Sequence, residues 1–287
     1  MKNRLREHLL FLAPPGFWLL IFFVVPLLLI FGYSFAIKDA YGGVLQGFTL
    51  ENFTQVFDPL YLPVFIRSVV ISVGITLLTV LFGYPVAYYI SFTRSKLKYL
   101  LLFAVTLPLW TNFLVKVYSF MILLGENGLV SSTLLSTGII SEPLTLINNS
   151  FSLVVSFVYI NLPFLIMPVY ASLDKIDPSI IEASHDLGAS STATFFWVIL
   201  PYSAPGMAAG VIFVLIPTLT NFLVPEFLGG MNNYMIGNLI QQQFSHSRNL
   251  PLGAAFSSVM IVAVVIMVSL YLRYFNPYKD GKEENER

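Results

Sequence analysis

DPSIIEASHDLGASSTATFFWVILP, Asp177 to Pro201, is the one polar interval with readable helix punctuation in an otherwise apolar chain. Asp177 before Pro178 reads as an N-cap and first helical residue, because the carboxylate accepts from free amides while proline has no N–H to lose. Ile180, Ile181, Ser184 and Leu187 then give one mostly apolar side of a helix a few turns long. Gly188 stops it, since a left-handed position past the helix end costs glycine little. Ser190 or Ser191 caps a second helix, which runs through Phe195, Phe196, Trp197 and Ile199 and ends at Pro201. A short helix, a tight turn and another helix between two long apolar runs form a surface module suited to a partner's groove. The plainer alternative is an ordinary loop helix.

Working outward, the composition bounds what surrounds this module. The chain has 287 residues, 56% of them hydrophobic and only 10% charged, and its mean hydropathy is +0.79. These values belong to an all-α polytopic membrane protein rather than to a soluble domain. Net charge is zero and no basic stripe carries interleaved aromatics, which argues against nucleic acid as a partner. The absence of cysteine excludes disulfides and thiolate metal sites. His8, His185 and His246 lie far apart and no H-E-x-x-H occurs, so no metal centre is expected.

About six spans follow from hydropathy. Lys2, Arg4 and Arg6 precede a run too long for a signal peptide and closed by no small-x-small cleavage site, which reads as an uncleaved anchor. That first span covers about residues 17–37, with Pro14-Pro15 before it. Residues 36–63 form an exposed loop with a short helix near Leu50 to Phe57, and the sequon at Asn52-Phe53-Thr54 reads as chance. The further spans cover about 64–90, 99–123, 151–172, 205–228 and 252–275, and residues 125–150 leave room for a small helix outside the core. With both termini in the cytoplasm, Lys2, Arg4, Arg6, Arg94, Lys96, Lys98, Lys175, Arg273, Lys279, Lys282 and Arg287 fall on that side, against Lys38 and Arg248 outside. The same orientation puts residues 173–201 in the cytoplasm. No lysine follows a P-loop pattern, since Gly281-Lys282 lacks the earlier glycine; ATP, if used, is bound by another polypeptide. No inverted repeat suggests a stand-alone carrier, and six spans without one fit half of a two-subunit pore.

Polar groups at span depth mark a candidate path. Trp110 and Asn112 fall near the middle of the third span, with Lys116 and Tyr118 farther out. Tyr159 and Asn161 fall near the middle of the fourth, Thr218, Thr220 and Asn221 above the middle of the fifth, and Glu226 near its outer mouth. A charge in hydrocarbon costs roughly 3 kcal/mol, so Lys116 and Glu226 should face the bundle or water. Either they pair with each other, or Glu226 accepts a cationic substrate while Trp110 and Tyr159 offer ring faces to alkylammonium groups. Prolines 26, 85, 108, 163, 168, 217 and 225 kink the spans. Gly206-Met-Ala-Ala-Gly210 would let the fifth span approach another helix closely, as a subunit contact requires. Tyr84, Tyr88 and Tyr89 read as an interfacial belt.

Glu182 and Ala183, then Gly188, then Leu200-Pro201 resemble the EAA loop of ABC importer membrane subunits, with Ser184 in place of the second alanine and Val198 in place of an isoleucine. The resemblance implies that Glu182, Ala183, Ser184, Gly188, Leu200 and Pro201 couple to a separate cytoplasmic ATPase. A narrower likeness is carried by GYPVAYYI (83–90), LPLWTNFLVKVYSF (107–120), INLPFLIMPVYASLDKID (160–177), GGMNNYMIGNLIQQQF (229–244) and NLPLGAA (249–255). These look like the spermidine/putrescine permease family of the PotB type. What that likeness implies is a single transmembrane permease domain over 1–287 with the MetI-like fold of a type I ABC importer, in the bacterial inner membrane. It further implies a PotC-type sister permease, a PotA-type ATPase dimer that binds the ATP, a PotD-type polyamine receptor, no catalytic residue and no cofactor in this chain. The rivals are the same machine for sulfate, molybdate or an iron complex, and a secondary carrier or intramembrane enzyme. Glu226 argues against an anion path, and the docking stretch argues against a carrier. The lack of paired carboxylates or a serine–lysine or histidine cluster at span depth argues against an enzyme.

Overall fold

The computed structural model describes residues 13–39, 43–45, 47–93 and 95–274. Lys2, Arg4, Arg6, His8, Arg94, Lys279, Gly281, Lys282 and Arg287 lie outside the described residues. In chain order the elements are α1 (Ala13–Tyr33), β1 (Ile37–Lys38), β2 (Val44–Leu45), α2 (Glu51–Val56), α3 (Leu62–Phe92), α4 (Leu97–Thr106), α5 (Phe113–Leu124), α6 (Leu129–Ser136), α7 (Ser150–Leu173), α8 (Pro178–Asp186), α9 (Ser191–Thr220), α10 (Ile236–Ser245) and α11 (Leu250–Tyr274). Six stretches are long and apolar enough to cross a membrane: Ala13–Tyr33, Leu62–Phe92, Phe113–Ser136, Ser150–Leu173, Ser191–Thr220 and Leu250–Arg273. The chain divides into two compact units, one formed by residues up to Pro63 with Leu239–Val264, the other by Val64–Asn238 with the chain from Val265.

In the first unit, none of the apolar window of α1 is buried by the rest of the chain, which leaves its side chains for lipid or another subunit. A π-turn at Leu20–Val24 precedes Pro26, the Val25 amide reaching back to the Leu20 carbonyl. The antiparallel pair β1–β2 follows, with Ile37 opposite Leu45. Asn52, on α2, is buried and donates Nδ2 to the Ser34 and Ala36 carbonyls at 3.0 and 2.8 Å. The sequon asparagine is therefore a structural bolt across the loop. Tyr61 meets Phe256 of α11 edge-on at 5.1 Å.

The second unit is built on α7, the most buried of the spans. Its start is closed by a capping box, Asn149 Oδ1 accepting from the Ser152 amide at 3.0 Å. Helix α9 lies tightly along it. A methyl group at Gly206 would strike the Pro168 carbonyl and the Ser172 side chain, and one at Gly210 would strike Leu165. The G-x-x-x-G expected to serve a subunit contact thus brings two helices of the same chain together. Tyr84 Oη and Ser203 Oγ, 3.0 Å apart, join α3 to α9, and Asn161 Nδ2 donates to Thr218 Oγ1 at 3.0 Å between α7 and α9.

The first span, expected over about 17–37, is Ala13–Tyr33, and in the second unit three boundaries differ from the sequence reading, each for a backbone reason. The helix expected to end at Pro201 continues to Thr220. A π-turn at Phe195–Ile199, in which the Leu200 amide reaches Phe195, shifts the hydrogen-bond frame just ahead of the proline. The third crossing, expected as one span over about 99–123, is divided: the shorter apolar helix Leu97–Trp110 turns 3₁₀ at Leu107–Trp110, the chain opens at Thr111 and Asn112, and the stretch long enough to cross is Phe113–Ser136. The fifth stops at Thr220, and Asn221 is extended. Pro108 and Pro217, which lack the N–H of a continuing ladder, lie just before the two openings.

The apolar core of this unit falls into two clusters. The near cluster, at the end carrying residues 173–201, gathers Tyr84, Ala87, Ile90, Leu165, Val169, Leu173, Ile199 and Val214, with Leu101, Leu102 and Val105 packed against them. The far cluster gathers Ile75, Val117, Leu153, Phe157, Ile160, Val224 and Leu228, with Phe113 and Phe120 beside them.

Candidate functional site

At the near end, α8 is held by its own chain. Asp177 Oδ1 accepts from the Ser179 amide at 2.9 Å. The backbone and side chain of Ser179 keep the Asp177 carboxyl below its ordinary value. Gly188 closes the helix at φ +84°, in the left-handed region. Ser190, the first of the two candidate caps, accepts from the Ala193 amide at 3.2 Å. Ser184 and Thr194 hydroxyls meet at 2.9 Å across the turn.

No residue of α8 is buried. Ile181 leans on the near cluster, while Glu182 and Ala183 are exposed, with Leu187 89% and Trp197 83% exposed beside them. Leu200 packs against the near cluster and Pro201 is exposed. Lys98 pairs with Asp174 and lies 5.4 Å above the Tyr170 ring. The bond from Asp174 holds the Lys98 ammonium above its ordinary value. Lys98 and Asp174 border a cleft of 730 Å³ that also touches Lys96 and Glu182.

At the far end, Glu226 is exposed and its Oε2 accepts from Asn238 Nδ2 at 2.9 Å. Asn238 also donates to the Phe222 carbonyl at 2.9 Å, which accepts the Glu226 amide at 3.0 Å as well, so Asn238 ties α10 to the restart of the fifth crossing. A side chain at Gly237 would collide with the Thr220 and Asn221 carbonyls, so the start of α10 is packed against that opening. A 550 Å³ cleft is bordered by Asn148, Pro225, Glu226, Gly230, Met231 and Tyr234. Burial, and then the Glu226 charge, raise the Tyr234 phenol above its ordinary value. Lys116 and Glu226 do not pair: the ion pair found among the described residues is Lys98–Asp174.

The proposed path residues are placed unequally. Trp110 is 79% exposed and meets Phe103 edge-on at 6.1 Å. Asn112 and Tyr118 are exposed, the Tyr118 ring lying 5.5 Å from Phe227, next to Glu226. Tyr159 is partly exposed and packs on Phe120 at 5.3 Å. Asn221 is half-buried at the opening of the fifth crossing. Asn161 is buried, and its amide is engaged by Thr218, so it belongs to the packing between α7 and α9 rather than to an open path. Trp110 and Tyr159 are not gathered with Glu226 in its cleft.

Arg67 and Asn238 went unremarked in the sequence. Arg67 donates to the Asn232 carbonyl at 2.8 Å. Also unremarked was an echo between the two openings: Pro108-Leu-Trp-Thr-Asn-Phe-Leu-Val115 and Pro217-Thr-Leu-Thr-Asn-Phe-Leu-Val224 agree at six of eight positions. A search for short direct repeats would have found it.

The chain matches the family model described as "Binding-protein-dependent transport system inner membrane component" over residues 79–279. It is 38% identical over 256 residues to the spermidine/putrescine transport system permease protein PotB of Haemophilus influenzae, covering 89% of this chain and 90% of that protein. The match to PotB of Escherichia coli K12 is 38% over 256 residues, with 89% and 93% covered. Similarity extends to the inner membrane ABC transporter permease protein YdcU of E. coli K12, at 34% over 280 residues and with 93% and 87% covered. Among solved structures the chain aligns with a bacterial ABC transporter involved in the import of the acidic polysaccharide alginate, at a TM-score of 0.71 and 19% identity, covering 97% and 98%. At that identity the likeness is one of fold.

Proposed function

The chain belongs to the family of binding-protein-dependent transport system inner membrane components, and from that premise we propose that it forms half of the translocation path of an ATP-driven importer for polyamines, spermidine or putrescine. It is a membrane subunit of an ABC transporter, with the chemistry of hydrolysis carried by a partner. The partners are a PotA-type ATPase dimer in the cytoplasm, a PotC-type sister permease and a PotD-type receptor that delivers the polyamine. The location is the bacterial inner membrane, with both termini in the cytoplasm, an orientation supported by the basic residues that then fall inside.

The coupling role is carried by one observation: α8 presents Glu182 and Ala183 to solvent while Ile181 and Leu200 press on the near cluster. A push on the exposed side is thus passed to the helices of that end. The polyamine reading draws on the likeness to PotB over nine-tenths of the chain and on Glu226, an exposed carboxylate set in a far-end cleft by Asn238. Asn112, Tyr118 and Asn221 remain the neutral path candidates, with Trp110 and Tyr159 as ring surfaces. An importer of sulfate or molybdate would be served poorly by that carboxylate.

ATP-driven uptake of radiolabelled spermidine and of sulfate by the complex in proteoliposomes tests the reading. Spermidine should accumulate and sulfate should not. The reverse result would move the chain to an anion importer of the same family.

A further inference from the structure

The two openings are alike in geometry as well as in sequence. Asn112 has φ −60° and ψ 143°, and its Oδ1 accepts from the Leu114 amide at 2.8 Å. Asn221 has φ −70° and ψ 132°, and its Oδ1 accepts from the Val224 amide at 3.0 Å. Thr111 Oγ1 donates to the Pro108 carbonyl at 2.8 Å, and Thr220 Oγ1 to the Ile216 carbonyl at 3.1 Å. Each crossing therefore stops after a proline turn, passes through extended backbone at Thr111–Asn112 in one and at Asn221 in the other, and restarts on an asparagine cap. Both run in the same direction, away from the docking end.

The core is cut at the same level. Near-cluster members from these crossings end at Val105 and Val214, and far-cluster members begin at Phe113 and Val224. Helix α7 changes cluster between Ile160 and Leu162, and Pro163, the next residue, removes a backbone donor. Pro168, by contrast, lies inside the near cluster, with Gly206 against its carbonyl. Helix α3 changes cluster between Ile75 and Val80, where the Thr76 and Thr79 hydroxyls, both buried, bond back to the Ser72 and Ile75 carbonyls at 2.7 Å. Such back-bonding loosens and bends helices. Two of the four crossings shared by the clusters are thus interrupted at the level where they meet and α7 carries a proline there, while α3 runs unbroken from Leu62 to Phe92 and has to bend. The buried Asn161–Thr218 bond at that level ties α7 to α9.

We propose that this unit is hinged at that level, the far cluster turning as a body on the near cluster about Thr111–Asn112, Asn221–Phe222 and Pro163. The inference rests on the transport reading and goes beyond it. The docking stretch is packed on the near body, through Ile176, Ile181 and Ile199. Glu226 and its cleft sit in the π-turn that carries Leu228 of the far body. A push on α8 then moves the near body, and the hinge lets the far mouth change its angle without unpacking either core. Without it, the whole subunit would tilt as one block. Asn112 and Asn221 are positioning residues here: they keep the two restarts capped and the bend at one place.

Because the chain has no cysteine, pairs of spin labels on introduced cysteines test this cleanly. Ile122→Cys and Phe151→Cys lie at exposed far-body positions, Ala104→Cys and Ala171→Cys at exposed near-body ones. Labelled complexes that retain ATP-driven uptake are compared in lipid nanodiscs with and without trapped nucleotide. The 122–171 and 104–151 distances should change by about 2 to 5 Å, the scale of helix shifts in switching proteins, while 122–151 and 104–171 hold still. Constant cross-body distances in complexes that still transport would overturn the hinge and leave the transport function standing. A straightened crossing, Pro217→Ala with Asn221→Leu, should lower uptake by about tenfold while nucleotide hydrolysis persists, as a biased two-state equilibrium requires. Undiminished uptake would count against the hinge, and the label distances decide the matter even if the straightened chain fails to assemble.

Discussion

The docking stretch and the far mouth hold their polar groups in opposite ways. In the first, from Asp177 to Pro201, the side-chain partners lie within ten positions, Asp177 with Ser179, Ser190 with Ala193, His185 with Ala189 and Ser184 with Thr194, and the long-range Lys98–Asp174 pair lies just ahead of that stretch. In the second, Ser152 reaches the Leu228 carbonyl 76 positions away, Ser150 reaches Asn233 over 83, and Ser68 accepts from the Ile236 amide over 168. On the coupling role proposed for it, a lever pressed by another protein would have to keep its shape from its own chain. A mouth assembled from several crossings is shaped by all of them, so its polar groups stitch distant segments together. Damage at the lever should therefore cost coupling, and damage at the mouth should cost assembly.

The largest effect expected is at the lever. Glu182→Ala removes an exposed carboxylate that no hydrogen bond among the described residues ties to the fold, so the subunit should stay in the membrane and assemble while uptake is lost. Uptake and membrane content measured on the same cells check this. Unchanged uptake would remove the coupling role from α8.

Next come two glycines that share a left-handed backbone and differ in surroundings. Gly230, at φ +70°, faces the Asn148 backbone where a Cβ would sit; Gly188, at φ +84°, has open space. Gly230→Ala adds a collision to the dihedral strain and should cost about 3 kcal/mol or more. It should lower both the assembled fraction and the thermal midpoint. Gly188→Ala carries strain alone, about 1 kcal/mol, and should leave the midpoint almost unmoved. Thermal melts of the two purified complexes compare them directly. A Gly188 variant as unstable as the Gly230 variant would end the claim that the docking turn is self-contained.

A smaller change is expected from Glu226→Gln. The amide keeps an acceptor for Asn238 but removes the charge, so assembly should hold while spermidine flux falls about fivefold, the worth of one partly screened contact. Normal flux would show that the carboxylate serves the mouth's packing only.

The same contrast explains what was legible beforehand. Asp177-Pro178, Gly188 and Ser190 are local signals, and the structure places a cap, a left-handed stop and a second cap there. The helix expected near Leu50 to Phe57 is Glu51–Val56, and the small helix expected after Gly125 is Leu129–Ser136. Hydropathy, averaged over a window as long as a crossing, passes over one or two extended residues, so the openings at Asn112 and Asn221 were hidden. The partner of the G-x-x-x-G was hidden because a small-residue face says how close a helix comes, not which helix. Asn161 was read as a path residue because depth alone does not reveal that Thr218 lies opposite. The π-turn before Pro201 was missed because a proline normally marks a stop.

The smallest effect concerns pH, and it separates the two ends by sign. At the lever, the Asp177 carboxyl is held below its ordinary 3.8 by Ser179. A depressed value in the folded state means that the cap stabilises α8 above about pH 4 and loses that contribution as pH falls through the folded value. At the mouth, the Tyr234 phenol is raised by burial and by Glu226. Its contribution is present below the ordinary tyrosine value of 10.0 and is lost as pH rises through the folded value. Between about pH 5 and 8 both ends should be flat. Amide exchange over residues 179–183, compared between the wild type and Asp177→Asn at each pH, cancels the intrinsic rate. The ratio should be constant near neutrality and change only on the acid side of about pH 4, because asparagine caps the helix without titrating. A ratio that already drifts at neutral pH would mean that α8 is governed by groups elsewhere in the fold, and the lever would then be less independent than its short-range bonds indicate.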